Sequence, residues 1–401
     1  MKRTGNVVLT TVITLMLIAF NIINMDAQTQ DTTKKAEFKP SGKVWGYVFG
    51  DYAYKPHADS LKRGATSYSA LPKDYNSFNL RRVYLGYDFN ISERFTTTIV
   101  LAHESGVESN TTTDPSLTSD SKRSVYIKYA NLTWKNVIPR ANLVIGQQVT
   151  PTFATMSEKI WGYRSIEKTI ADMRSPLTAS SSTDLGVGLF GKFDKNENFG
   201  YDVLVANGNG ARLENNNFKK VYTSLYAWLW DKKIVIQANY DYDRTGLTHN
   251  DHTSRTMMKA FVAYQTEPIT VGVEAYMETL ENNDIHTSAT TGIRDTTNGS
   301  SIGLSVFVRG RIIKDKLNFF ARYDYWNPDT KYSNNDTYTS GGAVNTEQFI
   351  TAGLDYTPHK NVHVMPNVWF DGFTDRAKNV TGRTKSDYDV VARVTFYYLF
   401  K

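Results

Sequence analysis

The chain of 401 residues contains no cysteine. No disulfide can staple it, and no cysteine nucleophile is available. Long apolar runs are missing too. Outside the extreme N-terminus no window of about eighteen residues is apolar, and the mean hydropathy is −0.43. That excludes membrane-spanning helices. Histidine is sparse: His57, His103, His249, His252, His286, His359 and His363 show no metal-ligand spacing. With no Gly-x-Ser-x-Gly elbow either, nucleophilic hydrolysis has no residues to use. Nor does one sign of charge dominate. The 46 Lys and Arg face 40 Asp and Glu, for a formal net charge of +6. So small an excess argues against a nucleic-acid surface and favours an anionic solute only weakly.

What is present points elsewhere. Lys2 and Arg3 precede an apolar stretch from Val7 to Phe20, and Ala27 stands before Gln28. That order is a secretory signal with cleavage expected after Ala27. The competing reading is an uncleaved anchor, but Asn21 and Asn24 interrupt its far end and no basic stop-transfer cluster follows. Aromatics are plentiful, with 25 Tyr, 20 Phe and 7 Trp. From about Gly42 onward, strand-like runs are joined alternately by terse polar turns and by long Ser/Thr/Asn/Gly/Asp-rich segments. Asn90-Ile91-Ser92 and Lys314-Asp315 are turns of the first kind; 57–75, 105–122, 150–184, 281–300 and 327–345 are segments of the second. A soluble sandwich has no reason to sort its connections this way, whereas a barrel threaded through a membrane does. Two Gly- and Asp-bearing stretches, Asp194 to Gly200 and Asn207-Gly208-Asn209-Gly210, lack the spacing of a calcium loop or a dinucleotide fingerprint and read as turns.

The sequence therefore predicts an all-β protein, a 16-stranded antiparallel transmembrane β-barrel with short periplasmic turns and long extracellular loops. The runs are 43–54, 76–90, 94–104, 123–134, 140–148, 184–193, 199–206, 218–230, 233–243, 256–265, 269–280, 301–313, 316–326, 347–357, 361–370 and 387–400. Alternation assigns their faces. Tyr388, Val390, Ala392, Val394, Phe396, Tyr398 and Phe400 form one apolar row, opposite Asp389, Arg393, Thr395 and Tyr397. Ile302, Leu304, Val306 and Val308 oppose Ser305, Arg309 and Arg311; Val271, Val273 and Met277 oppose Thr270, Glu274 and Glu278. The runs 218–230 and 123–134 do not reveal which face is which. The expected organisation is a signal peptide (1–27), a short linker (28–41) and the barrel (42–401).

Several segments resemble the phosphate-selective porin O and P family in its broad sense. They are Phe78-Asn79-Leu80-Arg81-Arg82-Val83-Tyr84-Leu85-Gly86, Val125-Tyr126-Ile127-Lys128-Tyr129-Ala130 and Leu143-Val144-Ile145-Gly146-Gln147-Gln148-Val149-Thr150-Pro151. Ala206-Asn207-Gly208-Asn209-Gly210 and Ala321-Arg322-Tyr323-Asp324-Tyr325-Trp326-Asn327-Pro328 complete the set. They follow the family's order across most of the mature chain. The resemblance implies a sixteen-stranded porin, trimeric, with a long third loop entering the lumen. Phosphate selectivity is not carried over, because the inward row mixes arginines with many carboxylates, Asp88, Asp241, Asp243, Asp371 and Asp389 among them.

The candidate pore-lining residues are Arg82, Arg164, Arg174, Arg309, Arg311, Arg322, Arg393, Glu274 and Asp324. Rings of such charge set ion preference in a pore; the plainer reading is that each arginine pairs with a carboxylate and braces the wall. The segment 150–184 carries Trp161, Tyr163, Ile166 and Ile170, too much apolar surface to hang in water. Helical character is expected over 157–174, with Ser157 as its cap. The segment reads as a constriction loop folded into the lumen, the alternatives being a surface cap or a trimer contact. The function expected is passive diffusion of small hydrophilic solutes or ions across an outer membrane, with at most a weak anion preference. No chemistry, cofactor or metal is expected; the partners are outer-membrane lipid and two further copies of the chain. The competing function is a ligand-binding or adhesin barrel whose lumen is blocked.

Overall fold

The computed structural model describes residues 38–64, 66–104, 122–175, 182–245, 253–288, 294–330, 336–338, 345–375 and 386–401. The expected signal peptide, most of the linker and parts of the long segments lie outside the described residues. The strands are β1 (Ser41–His57), β2 (Asn76–Asn90), β3 (Phe95–Glu104), β4 (Tyr126–Ile138), β5 (Ala141–Val149) and β6 (Thr183–Lys192). Next come β7 (Phe199–Ala206), β8 (Lys220–Leu229), β9 (Ile234–Thr245), β10 (Thr253–Gln265), β11 (Ile269–Ser288) and β12 (Arg294–Ile313). The last are β13 (Leu317–Asn327), β14 (Asp336–Tyr338), β15 (Asn345–His359), β16 (Val362–Asp375) and β17 (Ser386–Phe400). β14 is a three-residue strand laid on the outer end of β11. The other sixteen form a closed antiparallel barrel, the number that the alternation predicts. Closure is direct: β1 pairs with β2 on one side and β17 on the other, so that Tyr47 lies opposite both Tyr84 and Leu399. A closed ring leaves no edge strand with unpaired backbone, which is what a hydrocarbon environment requires.

The outer surface follows from the period of two. Leu85, Ile99, Leu132, Val203, Val262, Val273, Val306, Ile350 and Val368 are exposed along the middle of the strands. Near the short-turn end stand Tyr87, Phe193, Phe199, Trp230, Tyr264, Tyr356 and Tyr398; toward the other end stand Tyr52, Tyr54, Phe78, Phe370 and Tyr388. An aliphatic band between two aromatic rows is the surface of a barrel seated in lipid. No helix among the described residues is long and apolar enough to cross a membrane.

Two strands depart from simple alternation, which explains what the sequence hid. In β2 the register against β1 slips between Phe49–Arg82 and Gly50–Leu80, leaving Arg81 as an extra residue. In β4 the register against β3 slips so that Val100 faces Tyr129 and Leu101 faces Ile127, leaving Lys128 extra. Each bulge turns two successive side chains to the same side. Arg81 and Arg82 both point inward, as do Lys128 and Tyr129, and β4 could not show its faces by alternation.

With this barrel, unheated samples in detergent should migrate anomalously in electrophoresis, and circular dichroism should be dominated by sheet. A helical spectrum would end the reading.

Candidate functional site

The interior is filled by the segment between β5 and β6. Helical character was expected over 157–174 as one stretch; instead two five-residue helices form, α1 (Ser157–Trp161) and α2 (Ile170–Arg174). Gly162 ends α1 in the left-handed region (φ +73°), its N–H donating to the Glu158 carbonyl at 2.9 Å, a conformation that glycine adopts without a Cβ penalty. Ser157 is not the cap: it is the first residue of α1, and its hydroxyl turns back toward the Phe153 carbonyl.

Apolar side chains seat this segment. Met156, Ile160, Trp161, Tyr163 and Ile166 pack against the inward Val235, Phe261, Phe307, Phe320 and Met365 of β9, β10, β12, β13 and β16. Phe153, Ile170 and Ala171 pack on Met257 and Tyr276. Each large side chain so buried contributes roughly 1.5–3 kcal/mol. This inward apolar patch interrupts the polar row and was not read from the sequence, because isolated inward Phe residues look like noise in an alternation.

Most of the candidate arginines grip the same segment. Arg309 Nε donates to the Ile160 carbonyl at 2.9 Å. Arg322 donates to the Glu167 carbonyl at 3.4 Å and Arg393 to the Ile166 carbonyl at 3.1 Å. Arg81, which the sequence reading left out, donates to the Ser165 carbonyl. Four guanidiniums from β2, β12, β13 and β17 thus hold main-chain oxygens within 160–167. Arg81, Arg322 and Arg393 are also balanced by carboxylates. Arg322 chelates Asp324 at 2.5 Å and lies 5.3 Å over the Trp161 ring. Arg174 of α2 bridges to Glu347 at 2.6 Å, with Asp324 and Asp371 at 3.8 Å. Glu274 accepts the Ala171 N–H at 3.3 Å, and Glu278 accepts the Ser175 hydroxyl. Arg311 sits apart, paired with the exposed Glu267 near the turn.

The second residue the sequence reading missed is Asp51. It is fully buried on β1 and meets Arg81 at 2.5 Å, Arg393 at 3.4 Å, the Thr395 hydroxyl at 2.5 Å and the Tyr68 hydroxyl at 2.8 Å. Between Lys43 and Lys55 its face of β1 otherwise reads Trp45, Tyr47, Phe49 and Ala53, so that an apolar run on both sides hid it from alternation. Tyr68 belongs to the β1–β2 connection, a second segment that enters the barrel. Its ring is fully buried against Trp369, and Lys55 Nζ donates to the carbonyls of Tyr68 and Ser69 at 2.7 and 2.9 Å.

One group of partly exposed charged side chains lies beside β2–β4. Lys168 of the segment is 31% exposed, and Arg164, Glu158 and Glu104 are each 16–17% exposed. Arg82 lies 3.9 Å from Glu104, and Lys128 lies 2.9 Å from it. Arg164 pairs with Glu158 and, at 2.7 Å, with Asp172. Burial alone would lift the Asp172 carboxyl, but Lys168 and Arg164 outweigh it and hold it below the usual carboxylate range. Four cations thus face three carboxylates here. Among the described residues no group of His, Asp and Glu could hold a metal ion.

No family model matches the chain, and no curated protein matches it in sequence. Solved structures do match. The outer-membrane channel DcaP of Acinetobacter baumannii aligns at a TM-score of 0.62 with 14% identity, over 91% of this chain and 99% of that one. The anion-selective porin from Comamonas acidovorans aligns at 0.60 with 9% identity, over 90% and 100%. OmpT of Vibrio cholerae, folded in vitro and solved in a trimer form, aligns at 0.54 with 13% identity, over 90% and 100%. The fold is that of the outer-membrane porins.

Proposed function

We propose that the mature chain is an outer-membrane porin of a Gram-negative-type bacterium, passing small hydrophilic solutes and ions down their gradients without chemistry or cofactor. The observation that carries this is the pairing of a lipid-type outer surface with a polar, partly solvated gap beside β2–β4. In this reading residues 150–184 are the constriction loop, and Arg82, Lys128, Glu104, Arg164 and Lys168 border the narrowest passage. The remaining candidate arginines position that loop. Signal cleavage after Ala27, short turns toward the periplasm and assembly as a homotrimer complete the proposal. The segments that resemble the phosphate-selective porin O and P family support it; phosphate selectivity is left out, since the arginines are occupied by carboxylates and carbonyls.

The excess of one cation at the gap implies a weak anion preference. It should fade at high salt, where the screening length falls to about 3 Å at 1 M. Lys168→Ala should shift the reversal potential slightly toward cations, while Arg311→Ala, far from the gap, should leave it in place. Saturable, phosphate-specific conduction would contradict the balanced gap.

One observation favours a second reading, a ligand-binding or adhesin barrel with a blocked lumen: the β1–β2 connection also packs inside, with Tyr68 wholly buried. Planar bilayers separate the two. A porin gives stepwise ion currents, and their absence from folded protein moves the chain to the second class.

A further inference from the structure

On the short-turn side of the inner segment the barrel holds a cavity of about 1390 Å³. Lumen-facing positions of such a barrel are ordinarily polar, yet this cavity is walled by aromatic rings in two groups. Trp45 and Tyr129 lie on one hydrogen-bonded row running across β1, β2, β3 and β4 through Gly86 and Val100, with Tyr47 beside them. Phe190, Tyr226 and Trp228 rise from β6 and β8. All six are half-buried, with the Lys192 ammonium 4.6 Å over the Tyr226 ring and Tyr47 against Tyr84. Three are laid along the wall over inward glycines. A Cβ on Gly86 would stand 2.3 Å from the Trp45 ring, one on Gly188 2.6 Å from Phe190, and one on Gly200 2.4 Å from the Tyr226 ring. Glycine here lets each ring lie close along the wall beside the cavity.

Between and beside the rings the lining is hydrogen-bonding and of both signs. Asn131, Thr133 and Asn142 supply donors and acceptors, with Lys135, Lys192 and Asp202 close by. Lys192 donates to the Tyr226 hydroxyl at 2.6 Å, which fixes that ring's rim. Ring faces with mixed donors and acceptors suit a solute that is apolar on its faces and hydroxylated around its edge. A flat aromatic solute would leave the amides and hydroxyls unpaired at a cost, and a simple anion would gain nothing from the ring faces.

We propose that this cavity is a binding subsite for neutral carbohydrates, two or more pyranose rings long, entering or leaving by the short-turn end. The proposal rests on the porin reading and names its solute class. Each sugar ring stacks on an aromatic face while its hydroxyls bond to the Asn, Thr, Lys and Asp side chains between.

The test uses the mature full-length protein and maltotriose. In planar bilayers, maltotriose on the short-turn side should block the salt current saturably. Trp45→Ala, and independently Trp228→Leu on the other wall, should weaken the block about tenfold while the sugar-free conductance persists. Block that rises linearly without saturation, block unaffected by both variants, or equal block by benzoate would overturn the carbohydrate subsite. Absence of any current would instead overturn the channel reading. The subsite is then decided by tryptophan fluorescence in detergent: a saturable change on adding maltotriose, weakened in Trp228→Leu, supports it, and no change refutes it.

Discussion

Removing residues 161–171 should raise single-channel conductance several-fold and admit larger sugars. This stretch carries Trp161, Tyr163, Ile166 and Ile170, which fill the apolar half of the interior. It also carries three of the four carbonyls held by the wall arginines. The sixteen barrel strands keep every ladder hydrogen bond without it, so the barrel should still assemble. Phe307 and Phe320 would then face water, and Arg322 would keep Asp324 as its partner. Conductance and sugar exclusion in planar bilayers, with heat-modifiable mobility as the folding control, read the result. Unchanged conductance in a folded variant would remove the segment from the solute path and favour the blocked-lumen reading.

The largest expected effect on stability is at Asp51. Asp51→Ala leaves Arg81 and Arg393 buried without their shared carboxylate, and strips the acceptor from Thr395 and Tyr68. Breaking a buried ion pair from one side costs about 3–5 kcal/mol. Some of that is offset here, because Arg393 retains Asn367 at 2.7 Å and the Trp369 face at 3.7 Å. The urea midpoint of the folded, heat-modifiable form should fall accordingly. Arg311→Ala removes an exposed pair and should move the same midpoint by no more than about 1 kcal/mol. Equal effects of the two variants would show that the Asp51 cluster does not hold the barrel and its inner segments together.

The barrel was largely legible in the sequence because a period of two survives wherever lipid and water face opposite sides of a strand. The faces assigned to β11, β12 and β17 are those observed, but β11 continues to Ser288 and β12 begins at Arg294, where 281–300 reads from its polar composition as a connection. The reading failed where that contrast vanished. The middle of β1, from Val44 to Phe49, is apolar on both faces, one toward lipid and one toward the aromatic cavity, so Asp51 went unseen. Arg81 and Lys128 occupy bulges, and a strict alternation sends one of each adjacent pair to the wrong side. The inner segment was recognised by its apolar load, but not its break at Gly162. The partner patch of Phe261, Phe307 and Phe320 could not be recognised either, since nothing local says that three inward Phe on different strands will meet. The entry of the β1–β2 connection left no trace except Tyr68, one aromatic among many. Of the candidate charges, Arg82 and Arg164 lie at the partly solvated gap, whereas Arg309, Arg322 and Arg393 hold the inner segment by its main chain.

That last distinction has a bearing on how such a channel changes its diet. The arginines hold carbonyl oxygens, while Ile160, Trp161, Tyr163 and Ile166 supply the apolar seat. Neither form of anchorage uses the Arg164 side chain, which pairs, among the described residues, only within the segment. Glu158, Arg164, Lys168 and Asp172 pair with one another, so they are exchangeable as a set without re-engineering any strand. In the proposed channel, anchorage and ion preference therefore rest on different side chains of one segment.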